Sequence, residues 1–138
     1  MKTKINFKQA LMAGAMASLT AVVINAVLFL IFQAAGVIVD TIFIQPNQPL
    51  TIIPIIISSI LPTMVASVVF FLIEKFTNNG FKIFRLVSII LLILSFMNPF
   101  MGIPEVTVGY AMVLNLMHVV VAGSILYFVN KRVQSESK

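Results

Sequence analysis

Cysteine is absent from this 138-residue chain, and only 9% of its residues are charged. Without cysteine there are no disulfides, no thiolate metal ligands and no thiol redox chemistry. Soluble domains carry about a quarter charged residues to cover their surface, so a water-soluble fold is excluded. Acids number four, Asp40, Glu74, Glu105 and Glu136, and none lies inside an apolar run. Proton-coupled exporters of the four-helix multidrug type need a membrane carboxylate that gains and loses a proton, and this chain offers none. The single histidine, His118, is the sole titratable candidate there. No Gly-x-Ser-x-Gly, His-Glu-x-x-His, phosphate-binding loop or dinucleotide fingerprint occurs. No nucleophile is paired with a base in the outer loops, so no catalytic residue is assigned and the chain reads as non-enzymatic.

What is present is hydrophobicity: 60% of residues, with mean hydropathy +1.11. It falls into four runs long enough to cross a bilayer, which takes about 20 residues per helix. They are expected near 10–35, 50–73, 84–101 and 106–129, within a single transmembrane domain over 1–138. The nine basic residues all fall on one side of this pattern. Lys2, Lys4 and Lys8 precede the first run, Lys75, Lys82 and Arg85 lie between the second and third, and Lys131, Arg132 and Lys138 follow the fourth. The other two connections hold only Asp40 and Glu105. Lysine and arginine in short loops stay cytoplasmic. The expected architecture is therefore all-α, an integral membrane four-helix bundle with both termini inside. The net charge of +5 is spread thinly over helix ends, which marks topology and contact with anionic headgroups rather than nucleic-acid binding. The first run is too long for a signal-peptide core of roughly 7–15 residues and reads as a retained helix.

Local signals refine each segment. Gly36 ends the first helix. The outer loop 36–49 has a short apolar part, 37–44, expected either to lie at the membrane interface or to pack over the mouth of the helices as a lid, then a Gln-Pro-Asn-Gln-Pro turn. Pro54 falls in the first turns of the second helix, where a missing N–H costs little. Pro62 lies mid-span and should kink the helix as a hinge, with Ser58 and Ser59 helping to satisfy the freed backbone. Asn78-Asn79-Gly80 is an inner turn. Pro99, Gly102 and Pro104 close a tight outer turn, and the tail from Val133 should fray.

Polar side chains are few enough to be considered individually. Gly14, Ser18 and Ala21 share a small-residue face of the first helix, suited to close helix packing or to a dimer seam. Ser59, Thr63 and Ser67 form a matching stripe on the second. Asn115 and His118 lie one turn apart near the midplane of the fourth helix. They can be a binding pair or interhelical hydrogen-bonding glue. With Asn25, Ser59 and Ser95 they fall between the midplane and the outer surface. That suggests a candidate polar pocket of Asn25, Ser59, Ser95, Asn115 and His118, open to the outside. Axial haem ligation by His118 would need Met97, Met101, Met117 or a second chain for the other ligand. No cofactor and no metal site is assigned.

The segment Leu114-Asn115-Leu116-Met117-His118-Val119-Val120-Val121-Ala122 resembles the Leu-x-x-Met-His-x-x-x-Ala stretch of a family of small bacterial four-helix membrane proteins of unknown function. Ala21-Val22-Val23-Ile24-Asn25-Ala26-Val27-Leu28 before Ala34-Ala35-Gly36, and Leu94-Ser95 before Pro99, fit the same pattern. The resemblance implies this fold and the bacterial inner membrane, with Asn25 and Met117-His118 as recurring features. It implies no activity.

The leading functional reading is a multi-pass inner-membrane protein that binds a small apolar or amphipathic molecule, or a membrane partner subunit, in the outer half. A homo-oligomer also fits. The alternatives are a small transporter component hinged at Pro62 and a haem or quinone redox subunit using His118.

Overall fold

The computed structural model describes residues 5–136. Lys2, Lys4 and Lys138, which contribute to the charge pattern, lie outside these residues. In chain order the elements are α1 (Phe7–Ala34), β1 (Phe43–Gln45), β2 (Gln48–Pro49), α2 (Ile52–Phe76), α3 (Gly80–Ser95), α4 (Asn98–Gly102) and α5 (Val108–Ser135). Four helical segments, α1, α2, Gly80–Gly102 and α5, are long and apolar enough to cross a membrane. The protein is a multi-pass membrane protein.

Helix ends follow from capping. Asn6 and Gln9 form a reciprocal capping box, with Gln9 N–H donating to Asn6 Oδ1 at 2.9 Å and Asn6 N–H to Gln9 Oε1 at 2.8 Å. That starts α1 three residues before the apolar run does. At its other end Gly36 takes φ +71°, and the N–H groups of Gly36 and Val37 donate to Gln33 and Phe32 carbonyls. This is a glycine-ended C-cap as the sequence leads one to expect. Thr107 caps α5 by accepting from Tyr110 N–H at 3.2 Å. The tail does not fray at Val133. The helix runs on to Ser135, with Val133 packed on the core and Gln9 Nε2 donating to Glu136 Oε1 at 2.5 Å.

The third span is not one helix. Pro99 has no N–H to give Ser95, so the helix breaks after Ser95 and restarts at Asn98 with proline in its first turn, where it is tolerated. The outer loop holds an antiparallel hairpin, Phe43 opposite Pro49 and Gln45 opposite Gln48. Its two-residue turn has Pro46 first and Asn47 second, at φ 59°.

Two apolar clusters hold the helices together. Ile5, Ala13, Phe70, Phe84, Ile125 and Val129 join the start of α1, the end of α2, the start of α3 and the end of α5. Phe29, Ile38, Ile42, Leu50, Tyr110 and Met117 join the opposite ends and the outer loop. The chain therefore passes up and down in sequence, and the described cations Lys8, Lys75, Lys82, Arg85, Lys131 and Arg132 share the first cluster's end. α1 packs against α2 and α5, while α3 lies to the side. Only Gly80 and Phe84 of α3 are buried, and Leu86, Leu91, Ile93 and Leu94 face outward.

Candidate functional site: a polar seam and a side cavity

Between the two apolar clusters, α1 and α2 meet along small and hydroxylated residues spaced one turn apart. Gly14 is needed for the approach, since a Cβ there would lie 2.6 Å from Ser67 Cβ. Ser18 Oγ donates to the Gly14 carbonyl at 2.8 Å and shares a 2.5 Å hydrogen bond with Thr63 Oγ1. Thr63 Oγ1 also lies within bonding distance of the Ser59 and Ile60 carbonyls, at 2.9 and 2.8 Å. Ser67 Oγ donates to the Met64 carbonyl at 2.7 Å. Ser59, Thr63 and Ser67 are 0% exposed, so these bonds keep buried polar atoms paired in a medium with no water. Gly14, Ser18 and Ala21 are all buried, within the monomer rather than on an outward seam.

One turn further, Asn25 changes the pattern. It is 2% exposed, and its Nδ2 donates to Ser59 Oγ at 3.0 Å and to the Met117 carbonyl on α5 at 3.4 Å. A carbonyl can only accept, so the amide cannot turn over without setting two oxygens against each other. Its Oδ1 is buried without any hydrogen bond. Native proteins rarely leave such an atom unpaired.

Asn25 borders a cavity of about 190 Å³ whose other walls include Leu50, Ile55, Pro62, Met117 and His118. Leu50 closes the end nearest the 36–49 loop, packed in the same cluster as Ile38 and Ile42. Segment 37–44 thus covers the ends of the helices opposite the described cations. Ser58 and Pro62, also on the wall, are exposed on the flank of α2. The opening is therefore sideways, toward the surrounding apolar phase, and not straight to the outside as the depth pattern suggests.

His118 borders this cavity and a second hollow of about 230 Å³ beside Asn98, Pro99 and Gly102. Its Nδ1 lies 2.7 Å from the Leu114 carbonyl. The carbonyl only accepts, so Nδ1 carries the proton in that bond. The side cavity is thus mostly apolar, with Asn25, whose Oδ1 is unpaired, and His118 on its wall.

The chain belongs to the DUF6069 family. That family model, a family of unknown function, matches residues 6–135. No curated protein and no solved structure matches the chain.

Not all five pocket candidates of this DUF6069 chain converge. Asn25 and His118 border the side cavity, whereas Ser59 lies behind its wall, hydrogen-bonded to Asn25. Asn115 turns away toward α3, donating from Nδ2 to the Phe96 carbonyl at 3.1 Å, with its Oδ1 buried and unpaired. It ties α5 to the break that Pro99 imposes. Ser95 Oγ donates back to Leu92 at 2.7 Å and borders neither hollow. Ser58 Oγ bonds Ile55 and Ser59 Oγ accepts from Asn25, so neither hydroxyl is turned to the backbone that Pro62 frees. Among the described residues no group of three His, Cys, Asp or Glu is placed to hold a metal ion. Sequence reasoning overlooked the hairpin and the apolar walls Leu50, Ile55 and Val121. The Pro46-Asn47 pair carried the hairpin signal, whereas wall residues look like any other apolar position.

Proposed function

We propose that this protein binds a small amphipathic molecule bearing a hydroxyl or N–H group, which enters from the bilayer into the cavity between α1, α2 and α5. It is non-enzymatic, sits in the bacterial inner membrane with both termini cytoplasmic, and keeps the cavity in the outer half. One observation carries the reading: the buried, unpaired Oδ1 of Asn25, a residue on the wall of a mostly apolar space. A ligand donor there would recover the hydrogen bond that the protein leaves unmade. The apolar walls take the rest of the molecule, and Ser58 and Pro62 form the entrance.

Thermal unfolding of the purified protein with benzyl alcohol and with ethylbenzene tests this. The two have nearly the same shape, but only the alcohol donates. The alcohol should raise Tm more than ethylbenzene, and the difference should vanish in Asn25→Leu. Equal shifts from both compounds, or a difference that survives Asn25→Leu, would refute the proposal.

A further inference from the structure

A second feature lies on the opposite side of α1, in the groove it forms with α5. At the basic end a hollow of about 180 Å³ is bordered by Ala13, Met16, Phe128, Lys131, Arg132 and Ser135. It adjoins, through Phe128, a hollow of about 330 Å³ whose walls include Thr20, Ile24, Val120 and Gly123. α1 and α5 run antiparallel, so the two hollows follow one another along the helix axes, from the charged end toward the middle of the span. The tract is open at Gly123, where an added Cβ would meet nothing within 4 Å. Past Phe128 it holds no charged side chain.

We propose that this groove binds one anionic phospholipid, with its phosphate at Lys131 and Arg132 and an acyl chain lying along Met16, Phe128 and Gly123. Charge complementarity selects the occupant. Neither Lys131 nor Arg132 makes an ion pair among the described residues. The acid nearest in sequence, Glu136, accepts from Gln9. Ser135 Oγ donates to the Arg132 carbonyl at 3.2 Å, so the head is held by the two cations rather than the hydroxyl. A zwitterionic lipid fills the apolar tract equally well but lacks the net charge. A soluble anion would gain the cations but nothing from the tract. An anionic lipid uses both.

The chain has two tyrosines and no tryptophan, which gives a direct reading. Tyr127 lines the second hollow, whereas Tyr110 is 0% exposed with its hydroxyl unpaired. In Tyr110→Phe, Tyr127 is the sole emitter. This protein would be placed in phosphatidylcholine vesicles carrying, at equal mole fraction, phosphatidylglycerol or phosphatidylcholine with brominated acyl chains, which quench fluorescence on contact. Brominated phosphatidylglycerol should quench Tyr127 with a severalfold preference, on the order of fivefold for each cation engaged. Lys131→Gln with Arg132→Gln should bring the two probes level. Gly123→Leu, which fills the tract and keeps the charges, should do the same. Lys82→Gln with Arg85→Gln, at the same end but on α3, should leave the preference intact. Equal quenching in the Tyr110→Phe protein would overturn the proposal. So would a preference lost equally with the α3 cations, which would mark it as general surface charge.

Discussion

Asn25 joins the structural seam to the proposed binding cavity, because its amide nitrogen stitches α1 to α2 and α5 while its oxygen is left over. Interhelical hydrogen bonds in membranes average about 0.6 kcal/mol. Asn25→Leu should therefore change stability by no more than about 1 kcal/mol while abolishing the preference for donor ligands. Unfolding in a denaturing detergent, beside the ligand shift, separates the two effects. Gly14 is the opposite case, a packing residue with no role in the cavity. Gly14→Val pushes side-chain atoms into Ser67 and should cost about 1–3 kcal/mol, the usual range for overpacking. Tyr110→Phe removes a buried hydroxyl that has no partner, so the same assay should show it neutral or more stable. The small-residue stripe was readable in the sequence, since spacings of three and four fix a helix face whatever the fold. The partner of Asn115 was not. The Phe96 carbonyl is available only because Pro99 breaks the third span, and a break changes which faces meet.

At the level of elements, the four apolar runs were evident from hydropathy, and their ends were not. Hydropathy marks where apolar residues stop, whereas Asn6, Gln9 and Thr107 set where hydrogen bonding starts. Asn6→Ala should cost about 1 kcal/mol of stability through loss of the cap, with earlier fraying visible as faster amide exchange at the start of α1. Within α2, Pro62 denies the Ser58 carbonyl its N–H donor four residues on, and both residues border the cavity mouth. Pro62→Ala restores that donor. It should raise stability by about 1 kcal/mol and, if the mouth depends on the missing bond, slow ligand entry measured by stopped flow. The outer loop shows the limit of pattern reading. Its apolar stretch was visible as a cover, but the hairpin rests on one residue pair, and the closure of the cavity on Ile38, Ile42 and Leu50 converging from separate segments.

For the whole molecule, charge and fold agree. The up-and-down course of the four spans gathers every described cation at one end, and Asp40 and Glu105 occupy the other. Short basic loops resist translocation, so the proposed orientation puts the basic end in the cytoplasm and the cavity of Asn25 and His118 nearer the far side. The lipid groove between α1 and α5 then faces the inner leaflet, where anionic headgroups meet Lys131 and Arg132. The arrangement of the cavity relative to the cell rests on this orientation, and a chain without cysteine is well suited to test it. Single cysteines would be introduced at positions 47, 105, 78 and 135 and exposed in intact cells to a membrane-impermeant maleimide. Positions 47 and 105 should label directly, whereas 78 and 135 should label only after the membrane is opened. Labelling of 78 and 135 in intact cells, with 47 and 105 protected, would contradict the account.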